Sequence, residues 1–346
     1  MQMTFRWYGP SDPVPLRHIR QIPGVRGIVS ALYDMAPGVE WTRAMLEPVK
    51  AEIEAAGLVF SVVESLNVHE DIKLGRPARD RHIERYARSL DVIGALGIPV
   101  VCYNFMPVFD WTRTDLEMVL DDGSTALAYH HTEQERIERA LLTGGLPGWA
   151  ATHTPEELQA LRAAYAEVDE ERLWDHLAYF LERVVPVAEA AGVRLAIHPD
   201  DPPWPVFGLP RIVASAAAME RVAALVASPA NGITLCTGSL GADPENDLPA
   251  LVRRTGPRIH FAHLRNVRVT APRHFHEVAH PNGDVDLAEV VRALVEVGFD
   301  GPVRPDHGRM IWDETGRPGY GLYDRALGAA YLLGLWHAIP SSIESR

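Results

Sequence analysis

The chain has 346 residues, is 47% hydrophobic and 23% charged, and carries a formal net charge of −13. That is enough apolar material for a large core, and α/β barrels of about 250 residues or more commonly fold as one domain. The acidic balance argues against nucleic-acid and anionic-membrane partners. The two cysteines cannot form a disulfide framework and fit a reducing, cytoplasmic compartment.

The N-terminus, MQMTFRWYGPSD, lacks a basic region followed by an apolar stretch. No apolar run approaches the roughly 18 residues of a membrane helix. FRWYG at 5–9 and GIVSAL at 27–32 read as the first two strands. A helical pattern follows over 41–57 and ends on a glycine. VFSVVES at 59–65 is the third strand, a glycine-capped helix covers 79–97, and IPVVCYNFM at 98–106 is the fourth strand. The next connection is out of proportion. It covers 107–169, with PVFDWTRTDLE, a helical pattern in TEQERIERALLTG and the turn-rich GGLPGWAATHTPEEL. This predicts a long helical insertion after the fourth strand, serving as a lid or binding element, with a structural or dimerising excursion as the competing reading.

The alternation then resumes. A long amphipathic helix over 170–192, with a kink expected at Pro186, leads to RLAIHP at 194–199. A helix over 209–228 precedes GITLCTG at 232–238, and one over 245–256 precedes IHFAHLRN at 259–266. A helix over 286–298 precedes PVRPDH at 302–307, and 323–339 closes the chain. Several strands are almost continuously apolar, as strands covered on both faces should be. Eight such units predict an α/β fold, a single (β/α)8 TIM barrel over 1–346. A doubly wound open sheet is the alternative, but no G-x-G-x-x-G follows the first strand.

In such a barrel the working face lies at the C-terminal ends of the strands. The last four strands end at His198, Cys236, His263 and Asp306. Alone, each has an ordinary reading: a hydrogen-bonded core histidine, a small buried thiol or a helix-capping aspartate. Together they form a metal-ligand set, because neighbouring strands lie about 4.8 Å apart and inward side chains converge. Mixed nitrogen, sulfur and oxygen ligation suits Mn2+, Fe2+, Co2+ or Zn2+, and the thiolate argues against Mg2+ and Ca2+. Cys102 has no ligand-type neighbour and reads as core.

The chain also strongly resembles the mannonate dehydratase family, barrels of the xylose-isomerase-like kind. The resemblance rests on RWYGPSDPVPLRHIRQIPGVRGIVSALYD, VVESLNVHEDIKLG, VVCYNFMPVFDWTRTDL, LAIHPDDPPWPVFGLPRI, NGITLCTGSLGADPENDL, RIHFAHLRNV, FHEVAHPNGDVD and RPDHGRMIWDE followed by RPGYGLYDRA. It implies Mn2+-dependent, or Fe2+-compatible, dehydration of D-mannonate to 2-keto-3-deoxy-D-gluconate in hexuronate breakdown. It places the metal on the same four residues, and proton transfer on His307 and Tyr320 of the DHG and PGYG motifs.

Arg265, Asn266, Asn104 and His69 are the further candidates for binding the sugar acid, with Glu64 beside them. Asp200 and Asp201 read as setting a turn. Trp111, Trp204 and Trp312 are expected to shield the rim. The expected assembly is a homo-oligomer, a dimer. The competing functions are a sugar isomerase or epimerase on the same barrel, and a binding or scaffold protein that kept the barrel without its chemistry.

Overall fold

The computed structural model describes residues 1–143 and 154–340. Twelve strands are present among them: β1 (Gln2–Arg6), β2 (Gly27–Ser30), β3 (Val59–Glu64), β4 (Val100–Tyr103), β5 (Asp115–Val119), β6 (Thr125–His130), β7 (Arg194–Ile197), β8 (Asn231–Cys236), β9 (Ile259–His263), β10 (Asn266–Ala271), β11 (His274–Val278) and β12 (Pro302–Arg304). Eight of them close a parallel barrel in the order β1-β12-β9-β8-β7-β4-β3-β2. These are the eight strands expected from the sequence, all ending earlier than expected; β1 is displaced, starting at Gln2 rather than residue 5, and β8 starts one residue early at Asn231.

The barrel has two apolar compartments. Val29, Val62, Val100, Cys102, Ala196 and Phe261 fill its interior as a separate cluster. The larger core lies between the strands and the surrounding helices. Cys102 is therefore core, with its sulfur 3.4 Å from the Thr234 hydroxyl. Parallel strands buried on both faces need apolar residues on both, which is why these runs were so uninterrupted.

The helices end as their sequences dictate. Gly57 and Gly97 adopt φ of 72° and 73° just after their helices, the left-handed turn that glycine accepts without a Cβ penalty. The helix Glu170–Ala190 starts at Asp169, whose carboxylate accepts from the Arg172 N–H, and runs on through Pro186. The expected helix over 209–228 is shorter, Ala216–Leu225. Ser215 caps it by accepting from the Ala218 N–H, and the preceding residues are held in a loop, with the Val213 N–H donating to Asp200.

The insertion is not simply helical. Its first part is the hairpin β5–β6, turned at Gly123 with φ 82°. The hairpin joins β10 and β11 in a second, antiparallel sheet of order β10-β11-β6-β5. Helices Gln134–Thr143 and Pro155–Tyr165 follow. The turn-rich part of the expected lid, 144–153, lies outside the described residues. No helix among the described residues is long and apolar enough to cross a membrane.

Candidate active site

The strand ends converge at one mouth of the barrel. His198 directly follows β7, Cys236 and His263 are the last residues of β8 and β9, and Asp306 stands two residues past β12. Register sets them side by side: His263 is level with Cys236 on one flank and Arg304 on the other. Asp306 sits at φ 64°, a left-handed conformation that aspartate tolerates better than most residues and that turns its carboxylate into the mouth. His198, Cys236 and His263 each offer a donor atom within 4.8 Å of the others. The Cys236 thiol donates to Asp306 Oδ2 at 3.6 Å, and Asp306 Oδ1 lies 3.7 Å from His263 Nδ1.

Two details fit this cluster to a cation. His198 gives its Nδ1–H to the Pro199 carbonyl at 2.6 Å, which leaves Nε2 bare and 3.2 Å from His263 Nδ1. His263 Nε2 is buried without a hydrogen-bond partner, with Glu64 Oε2 its polar neighbour at 3.4 Å, and such atoms are costly unless something engages them. Two other groups of metal-ligand residue types exist among the described residues, Glu64–Cys102–His263 and His69–Asp71–His82. The first shares His263. In the second, His69 and His82 stack face to face at 3.7 Å.

A lattice of buried charges surrounds the mouth. Arg304 Nη2 reaches Asp306 at 2.8 Å and Glu64 at 2.8 Å, and Arg6 also pairs with Glu64 at 2.9 Å. Arg265 spans Asp306 at 3.0 Å and Asp201 at 3.0 Å. Arg113 grips Asp201 with both terminal nitrogens, at 2.8 and 3.0 Å, and meets Glu277 at 2.8 Å. Burial alone would raise the pKa of Asp306, but Arg304, His307 and Arg265 outweigh it and hold the carboxyl well below its usual range. The same contest leaves Glu64, Asp201 and Glu277 ionised.

His307 and Tyr320 stand beside this lattice. The Tyr320 hydroxyl is 2.7 Å from His307 Nε2. On the other side, His307 Nδ1 is 2.8 Å from Glu277 Oε1. Burial pushes the His307 pKa down, against Glu277 and Asp306, so the ring is neutral near pH 7. Burial also raises the Tyr320 phenol, which keeps its proton. With Nδ1–H given to Glu277, Nε2 accepts from Tyr320.

A narrow pocket is lined by His198, Arg265, Asp306, His307, Tyr320, Asn104 and Trp111 together with Arg6, Ser65 and Arg304. Two of the expected sugar-binding residues lie elsewhere. Asn266 spends its amide on the His280 and Val285 carbonyls at 2.8 and 2.9 Å, holding a loop. His69 caps a short helix by accepting from the Asp71 N–H at 3.0 Å. Of the three tryptophans, only Trp111 lines this cavity. Trp204 is buried against Tyr129 and Phe275, and Trp312 is 69% exposed at a different surface. Asp201 proves to be a buried ion-pair partner rather than a turn residue. The sequence reading missed Arg6, Arg113, Glu277 and Arg304. Arg304 is a charge in the otherwise apolar strand PVR, while Glu277 lies in the polar strand HFHEV, and nothing local named the partners of either.

The family model described as D-mannonate dehydratase (UxuA) matches residues 1–346. Mannonate dehydratase 2 of Halalkalibacterium halodurans is 53% identical over 348 residues, covering 99% of this chain and 100% of that protein. Mannonate dehydratase of Streptococcus agalactiae is 53% identical over 343 residues, covering 98% and 99%. The crystal structure of mannonate dehydratase from Streptococcus suis serotype 2 superposes with a TM-score of 0.89 at 48% identity, covering 98% of this chain and 94% of that one. A D-psicose 3-epimerase from Clostridium cellulolyticum superposes with a TM-score of 0.58 at 13% identity, covering 98% and 99%, a likeness of fold alone.

Proposed function

The chain belongs to the D-mannonate dehydratase family, and from that premise we propose how its barrel mouth carries out the reaction. The protein is a hydro-lyase that converts D-mannonate to a 2-keto-3-deoxy acid and water. The observation that carries the assignment of roles is the Tyr320–His307 pair, hydrogen-bonded at 2.7 Å inside the same cavity as Asp306.

A proton must leave C2, next to a carboxylate, and a hydroxyl must leave C3. The C2 proton is weakly acidic because its removal piles charge onto an anionic group. The unprotonated Nε2 of neutral His307 accepts that proton, once the Tyr320 hydroxyl that it holds at 2.7 Å turns to the substrate. The protonated Tyr320 phenol gives its own proton to the departing C3 hydroxyl, which leaves as water. The resulting enol tautomerises to the ketone. His307 then returns its proton to the tyrosinate, and the pair is reset without an external base.

His198, Cys236, His263 and Asp306 would hold a divalent cation, Mn2+ with Fe2+ accepted. When bound, the cation supplies Lewis-acid stabilisation of the charge that gathers beside the substrate carboxylate. The charge balance supports this reading. Arg6, Arg113, Arg265 and Arg304 stand against Glu64, Asp201, Glu277 and Asp306, all of them paired. A divalent ion beside one thiolate leaves a single positive charge, the complement of one aldonate. Arg265 and Arg304 neutralise Asp306 as it stands, so a cation competes with them for its oxygens.

The test is to strip the protein with a chelator and assay D-mannonate, D-gluconate and D-altronate with and without Mn2+ or Fe2+. Semicarbazone absorbance reports the 2-keto-3-deoxy acid. Restored turnover of D-mannonate supports the reading. An isomerised sugar without that acid, or no product with either metal, defeats it.

A further inference from the structure

FHEVAH is a motif that the reaction above leaves unused. Its Glu277 does not come from the barrel. It lies on β11 of the second sheet and reaches the mouth from the side, with its side chain 1% exposed. Its Oε1 is the acceptor for His307 Nδ1 at 2.8 Å, and the same oxygen takes Arg113 Nη2 at 2.8 Å. Arg113 is itself fixed by its two-pronged grip on Asp201. The carboxylate is thus held from behind and presents one oxygen to one ring nitrogen.

We propose that Glu277 is the positioning residue for His307. An imidazole has two tautomers, and only the one with hydrogen on Nδ1 leaves Nε2 free to take a proton. A carboxylate at Nδ1 selects that tautomer, fixes the ring plane and offsets the charge the ring gains when Nε2 is protonated. A neutral acceptor in the same place would keep the orientation and lose the charge. The second sheet accordingly serves the reaction by carrying this one side chain, and Arg113 and Asp201 serve it by holding Glu277 still. Arg265 Nη1 also lies 2.8 Å from His307 Nδ1. Arg265 Nη1 can only donate, and it has an acceptor of its own in Asp306 Oδ2 at 3.0 Å. The ionised Glu277 Oε1 can only accept, so it is the partner for a hydrogen on Nδ1.

This inference rests on the role given to His307, and the test separates the two. E277Q, E277D, H307A and the double variant E277Q/H307A are assayed on D-mannonate with Mn2+, and metal content and melting are measured for each. E277Q is expected to lower kcat about 100-fold or more, with KM within threefold and metal content unchanged. E277D, which keeps the charge on a shorter stem, is expected to fall between E277Q and the parent. In the H307A background, E277Q is expected to cost nothing further, because its effect passes through the lost ring. If H307A is inactive while E277Q turns over within threefold of the parent, the positioning role is wrong and the His307 role stands. If E277Q lowers kcat equally in both backgrounds, its role is structural and the proposal fails. If H307A itself retains full rate, the underlying assignment of His307 falls first. Should E277Q not fold, E277D alone decides: parental kcat despite the withdrawn oxygen overturns the proposal.

Discussion

Asp201 is the residue whose removal should be felt most in the fold. Both oxygens are used, by Arg113 at 2.8 and 3.0 Å and by Arg265 at 3.0 Å, and the residue is fully buried. Asp201→Asn keeps the shape, but it removes the charge and turns an N–H2 toward a guanidinium. Breaking a buried ion pair from one side costs about 3–5 kcal/mol, because the partner charge stays behind. Spread over a domain this large, at roughly 2–3 °C per kcal/mol, the melting temperature should fall by about 6–15 °C. The control is its neighbour. Asp200 accepts from the Val213 N–H at 2.8 Å and is only 3.8 Å from Arg211. An asparagine there can still accept from Val213, so Asp200→Asn should cost about 1 kcal/mol. Thermal unfolding of the two variants at neutral pH makes the comparison. Because the paired Asp201 carboxyl sits well below its usual range, its contribution is present above the unfolded value near 3.9 and is lost on acidification. The gap between parent and Asp201→Asn should therefore narrow below about pH 4. Equal losses for Asp200→Asn and Asp201→Asn would refute the charge-lattice reasoning.

Tyr320→Phe removes the proton donor but no metal-ligand atom, so kcat should fall about 10²–10⁴-fold with metal content unchanged; normal turnover would show that the phenol is idle. Cys236→Ala should lose the metal at ordinary concentrations, read by elemental analysis of the purified protein, and full occupancy would remove the thiolate from the set. His260 is buried, gives its Nδ1–H to the Leu195 carbonyl at 2.7 Å, and has its pKa pushed down to about 4 by burial. Its neutral form is preferred in the fold. Stability is therefore complete above about pH 6.5 and declines as pH falls toward 4, by about 3 kcal/mol in all. His260→Asn, which keeps a donor for Leu195, should flatten that slope in urea titrations; an unchanged slope would assign it to other groups.

Much of the architecture was readable because it is repetitive. A parallel strand buried on both faces writes itself as an unbroken β-branched run, and GIVSAL, VVCY and GITLC are such runs. Strand ends could be located, and with them His198, Cys236, His263 and Asp306. The second sheet was harder. β5 alternates exposed and half-buried positions and carries Asp115 and Glu117, so it reads as a polar connection despite the DDGS turn that follows. Arg113 and Glu277 were harder still. They are 164 residues apart in the chain, and each looks like a surface charge until the fold brings them together. Pairings of that kind are decided by tertiary packing and leave no local signal.

The apolar plug of Val29, Val62, Val100, Cys102, Ala196 and Phe261 seals the barrel beneath His263, whose ring meets Phe261 edge-on at 4.5 Å. Traffic is therefore one-way-in, same-way-out. A keto acid lingering after catalysis stands in the doorway of the next sugar, so product should inhibit in competition with substrate rather than through any rear exit.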